Sequence, residues 1–127
     1  MNDSALPNDV RTFVNMYIDS IELLEVLILL RTETDKAWSI PDVARALTLT
    51  YDSATLRLKE LERRRLVHRD QGDLFSYDAH SLGVEETVER VAEAYSKRRT
   101  RLIALIFSGA SESIRGFADA FRLRDDR

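Results

Sequence analysis

Ser39 and Thr50 each have the form of a helix start, and the stretch between them leaves room for one short helix and a tight turn. Ser39 can accept a hydrogen bond from a free backbone N–H, and Asp42 three residues on completes a pattern like the capping box. Pro41 falls in the first turn, where its missing N–H does no harm. Ile40, Val43, Ala44 and Leu47 then form the inward stripe of a helix that ends near Thr48. Thr50 caps the next helix, with Leu49 spaced to pack on Ala54 as a hydrophobic staple. Ala54, Leu58 and Leu61 mark the buried face of this second helix, which runs to about Arg65. Two helices joined by so short a turn make a helix-turn-helix.

The flanks follow the same logic. Asn8 follows Pro7 and is placed to cap a helix with Asp9 in its first turn, where an acid suits the dipole. Val10, Phe13, Val14, Tyr17, Ile21, Leu24 and Ile28 recur at steps of three and four. Residues 8–31 therefore hold one long helix or two, with Asp19-Ser20 as the break. Val26-Leu30 is apolar all round and belongs at the centre of the core. Beyond the helix-turn-helix, Leu66-Arg69 and Leu74-Tyr77 are strand-like runs around the Gly-containing turn Asp70-Asp73, a hairpin signal. A long helix then spans 84–108, with Glu85 and Glu86 in its first turn. Ile114, Phe117 and Phe121 suggest a last amphipathic helix in 109–127, where Gly116 costs about 1 kcal/mol against Ala.

A helix-turn-helix followed at once by a hairpin is the outline of a winged helix. The chain, 1–127, reads as one mainly α domain with a small β-wing: N-terminal helices in 8–31, the winged unit in 39–78, a long helix in 84–108 and a tail. Its 19 Lys and Arg stand against 22 Asp and Glu, a net charge of −3, so no simple electrostatic argument marks a partner. With no cysteine there is no disulfide framework, thiolate metal site or cysteine nucleophile. His68 and His80, the only histidines, lack metal-ligand spacing. No Gly-rich phosphate loop or nucleophile elbow is present, so no enzyme, cofactor or metal site is expected. The apolar runs Val26-Leu30 and Leu102-Phe107 are far short of the roughly 20 residues that span a bilayer. Before Pro7 there is neither Lys nor Arg, so no signal peptide is visible. The expectation is a cytoplasmic protein without membrane contact, in which Trp38 and Tyr17 are core aromatics.

The run Ser53-Ala54-Thr55-Leu56-Arg57-Leu58-Lys59-Glu60-Leu61-Glu62-Arg63-Arg64-Arg65-Leu66-Val67 resembles the recognition helix and first wing strand of bacterial winged-helix regulators. It is most similar to the multiple-antibiotic-resistance regulator (MarR) group, with the arsenic-type repressors as a near cousin. The matching features are small Ala54, the Leu58/Leu61 pair, and Leu66-Val67 after the helix; the resemblance covers about residues 20–107. Two departures stand out. The wing tip is Asp70-Gln71-Gly72-Asp73, with Arg69 as its only nearby cation, where the group carries an arginine near the tip. Arg65 stands where the group has a glycine.

The resemblance implies a dimeric transcription regulator that binds double-stranded DNA. At 100° per residue, Asp52, Leu56, Lys59 and Arg63 face away from Ala54, Leu58 and Leu61. On this reading Tyr51, Ser53, Thr55, Leu56 and Arg57 lie near base edges, since arginine reads guanine and an apolar side chain can meet a thymine methyl. Lys59 and Arg63 lie on phosphates, and Arg69 supplies the wing's cation. In 84–108, Val88, Val91, Tyr95, Arg98, Leu102 and Leu105 form a near-heptad seam. The resemblance implies that it joins two chains; packing within one chain is the other reading. A second function stays open, a winged-helix module that binds a protein with little or no DNA affinity. Its support is the acidic balance, the acidic wing tip, outward Leu56 and the 110–127 tail as a docking segment.

Overall fold

The computed structural model describes residues 6–79 and 83–108. Helices α1 (Asn8–Tyr17), α2 (Ile21–Thr32), α3 (Ile40–Leu47) and α4 (Tyr51–Arg63) precede strands β1 (Val67–Arg69) and β2 (Phe75–Tyr77) and helix α5 (Glu85–Lys97). Residues 99–108 are again helical and form α6. The architecture is the expected one, mainly helical with a two-stranded antiparallel hairpin.

The break between the first two helices falls at Ser20, whose Oγ accepts from the Leu23 N–H at 3.1 Å. Asn8 does not cap α1. Pro7 takes that position without a side-chain bond, its carbonyl accepting the Arg11 N–H at 3.1 Å. Asp9 Oδ1 receives the neighbouring Val10 N–H at 2.9 Å. The proline's locked φ is already compatible with a helix start, so the helix begins one residue earlier than expected. Apolar on every side from Val26 to Leu30, α2 is the centre of the core: Leu23, Leu24, Val26, Leu27 and Leu30 have no accessible surface. It packs against α3, α4 and β2, while α1 packs against α5.

Both expected caps of the helix-turn-helix are made. Ser39 Oγ accepts from the Asp42 N–H at 3.2 Å, and Thr50 Oγ1 from the Ser53 N–H at 3.0 Å. The turn between the helices is closed by Thr48 in the left-handed region, φ 57°, and by a 2.9 Å bond from the Leu49 N–H to the Ala44 carbonyl. The same device ends α4. Arg65 has φ 67°, its N–H reaches the Glu62 carbonyl, and the Leu66 N–H reaches the Leu61 carbonyl, both at 3.0 Å. Leu61 and Leu66 are fully buried, completing a Schellman closure two residues before the expected helix end.

In the hairpin, Val67 stands opposite Tyr77 and Arg69 opposite Phe75. The sheet has a third edge that periodicity did not signal. Trp38 bridges Phe75 through two reciprocal backbone bonds of 2.7 Å, fixing the turn-side end of the hairpin to the residue before the Ser39 cap.

The helix expected over 84–108 is not continuous: it bends at Arg98, φ −132° and ψ 46°. No proline or glycine stands there, and the residue types are helix-compatible, so packing rather than propensity sets the bend. On both sides of it the chain buries its own apolar stripe: Val88, Val91 and Ala94 from α5, Leu102 and Ile106 from α6. The segment 109–127, with Ile114, Phe117 and Phe121, lies outside the described residues. Among the described residues no helix is long and apolar enough to cross a membrane.

Candidate nucleic-acid interface

The fold mounts α4 by one face. Ala54, Leu58 and Leu61 are wholly buried, so truncating either leucine to Ala costs about 2–5 kcal/mol. On the other face Tyr51 and Leu56 each keep 58% exposure, and Asp52, Lys59 and Arg63 are exposed beside them. Ser53 and Thr55 are half-buried; Thr55 Oγ1 donates to the Tyr51 carbonyl at 2.8 Å, leaving its lone pairs outward. The outward set deduced from 100° spacing is thus the set the structure exposes.

Spacing gave no sign of how the cations are held. Arg57 Nε donates to Glu22 Oε1 of α2 at 3.1 Å. Arg63 Nη2 and Arg64 Nε both reach Glu60 Oε2, at 2.6 and 2.5 Å. Arg64 also donates to the Tyr17 carbonyl and to Asp19, which pins the end of α4 to the end of α1. At the wing, Arg69 Nε and Nη2 take both oxygens of Glu62 at 3.2 and 2.9 Å, and its Nη1 lies 3.5 Å from Asp73. The bond from Arg63, with help from Arg64, holds the Glu60 carboxyl below the usual carboxylate range. Lys59 alone among the expected DNA-facing cations forms no ion pair within the described residues. Most of these pairs are half-buried and still open to solvent on one side, so each contributes modestly to stability; they set the direction of each guanidinium.

The acidic wing tip has a structural task. Asp70 Oδ1 accepts the N–H groups of Gly72 and Leu74 at 2.8 and 3.0 Å, so that carboxylate closes the turn.

Of the expected dimer seam, Val88, Val91 and Leu102 have no accessible surface within this single chain. Tyr95 is half-buried and donates to Glu25 Oε2 of α2 at 2.6 Å, while Leu105 packs on the core edge and Arg98 sits at the bend. The large apolar side chains these helices expose are Met16 of α1, 65%, and Phe107 of α6, 59%. An open cleft of about 530 Å³ between α1 and the start of α5 is lined by Phe13, Met16, Tyr17 and Val84 among others. Among the described residues no group of three or more His, Asp or Glu is placed to hold a metal.

A capped helix-turn-helix, a wing tied to its entry and helices before and after it define a winged-helix fold. No protein-family model matches the chain, and no curated protein matches it significantly. Solved structures do. MepR, a transcription regulator of the Staphylococcus aureus multidrug efflux pump MepA, is similar over 93% of this chain and 87% of its own, at 15% identity and TM-score 0.53. The S. aureus MepR–DNA complex gives 18% identity over 93% and 88%, with TM-score 0.50. AbfR of Staphylococcus epidermidis gives 16% over 86% and 80%, with TM-score 0.52. At such identities the likeness is one of fold.

Proposed function

We propose that this chain is a dimeric, cytoplasmic, DNA-binding transcription regulator that lays α4 in the major groove. The observation that carries the reading is the two-faced mounting of α4: one side locked into the core, the other presenting Tyr51, Leu56, Lys59 and Arg63 outward. A similar chain, MepR, has been solved with DNA. In this reading Tyr51, Ser53, Thr55, Leu56 and Arg57 meet base edges, and Lys59 and Arg63 meet phosphates. Arg69 reaches DNA only by exchanging Glu62 and Asp73 for it. Two-fold symmetry then spaces the half-sites one helical turn apart, about 34–36 Å. The second copy docks on the terminal helices, through Met16 and Phe107 together with the edge residues Tyr95, Arg98 and Leu105.

The test is selection from a random duplex library with purified protein at low salt, followed by fluorescence anisotropy on the enriched site. An enriched palindrome bound with a steep salt dependence supports the regulator. The competing reading, a protein-binding winged helix, draws on the acid partners of Arg57, Arg63 and Arg69 beside exposed Tyr51 and Leu56. It gains if no sequence is enriched.

A further inference from the structure

Glu22 stands in the first turn of α2, remote from α4 in sequence, yet its carboxylate meets Arg57. The bond occupies one of the arginine's three nitrogens. Arg64 and Arg69 differ: each has all three nitrogens engaged by partners of this chain, which makes them ties between elements. Arg57 is anchored by Nε alone, and among the described residues its Nη1 and Nη2 have no partner. Its side chain keeps 25% exposure, so it is not closed off from solvent.

A guanidinium is a flat, rigid fork, so a bond at Nε fixes its plane and leaves the two terminal amino groups as a parallel donor pair. That pair matches two adjacent acceptors, such as O6 and N7 of guanine. We propose that Glu22 is a positioning residue for base readout, holding Arg57 by Nε so that its Nη pair meets a guanine end-on. The proposal rests on the DNA-binding reading above. Glu22 acts on selectivity, and its negative charge near the backbone weakens binding to arbitrary sequence.

The experiment uses a site enriched by the wild-type protein and the same site with its critical guanine replaced, read by anisotropy for wild type, Glu22→Ala, Glu22→Gln, Glu22→Asp, Arg57→Ala and the Glu22→Ala, Arg57→Ala double variant. Glu22→Ala is expected to lower the ratio of the two affinities about tenfold, as Arg57→Ala does, with no further loss in the double variant. Glu22→Gln keeps an acceptor for Nε and retains the ratio, while binding random duplex more tightly. Glu22→Asp keeps the charge and the helix start but falls one methylene short, so it loses selectivity too; it decides the matter if Glu22→Ala fails to fold. A purely structural Glu22 would move the melting temperature and leave the ratio alone. An unchanged ratio in folded Glu22→Ala or Glu22→Asp, with a loss in Arg57→Ala, overturns the proposal and leaves the DNA reading standing. If wild type enriches no sequence, both fall.

Discussion

Arg90 of α5 closes on Asp9 of α1, Nη2 to Oδ2 at 2.5 Å, so the first described helix is tied by charge to the helix that follows the wing. The bond from Arg90 holds the Asp9 carboxyl below the usual carboxylate range. A carboxyl depressed by folding stabilises fully above its unfolded value, near pH 4, and loses that contribution as pH falls through the folded value. Glu60, held by Arg63 and then Arg64, has the same sign. Melting temperature should therefore drop below about pH 4, and Asp9→Asn should flatten part of that limb in thermal scans across pH. Tyr95 has the opposite sign: burial, then its bond to Glu25, raises the phenol, so its contribution is lost above about pH 10.

Of the three described non-glycine residues in the left-handed region, the two at helix ends mark removable strain. Thr48 at φ 57° and Arg65 at φ 67° each close a helix end. A β-branched residue tolerates this region worst, so Thr48→Gly should raise stability by about 1 kcal/mol and Arg65→Gly by somewhat less. Calorimetry should show melting rises of roughly 3–6 °C for the first. A fall in either variant would mean that the strain relieved is smaller than the entropy gained by a freer unfolded chain.

The terminal helices separate folding from assembly. Leu102 lies in the chain's own core, so Leu102→Ala should cost about 2–5 kcal/mol and lower the melting temperature at any concentration. Met16→Glu with Phe107→Glu alters exposed side chains only. That double variant should remain folded and run as a monomer by light scattering, against a wild-type dimer. A wild-type monomer at high micromolar concentration would end the dimer proposal.

On DNA, the degree to which each cation is already engaged should order its effect. Lys59→Ala should reduce the salt slope by about one unit across all sequences, and Arg63→Ala, whose Nη2 already holds Glu60, by somewhat less. Arg69→Ala, which frees Glu62 and Asp73, should lower wing stability with a smaller change in slope. Equal slopes for all three in salt titrations would contradict this ranking.

Much of this was legible because caps and faces are local. Ser20, Ser39 and Thr50 announce their helices, and 100° spacing alone sorts Leu58 from Leu56. Asn8 misled because a proline just ahead of it can open a helix without a side-chain cap. The seam at Val88, Val91 and Leu102 left two readings open because helical periodicity is the same whether the apolar stripe meets its own chain or another. Arg57–Glu22 and Trp38–Phe75 join residues far apart in sequence, and no short-range pattern encodes such pairs. The bend at Arg98 has no residue type to betray it.

The two bonds between Trp38 and Phe75 clamp the wing, one residue pair from its turn, to the entrance of the helix-turn-helix. Ser39, one residue from that clamp, caps α3, and α3 packs on α4. A load applied to the hairpin tip is thus delivered to the start of α3 across a single peptide unit. Hairpin and α4 are thereby joined through α3, so a grip on the wing bears on how α4 is held.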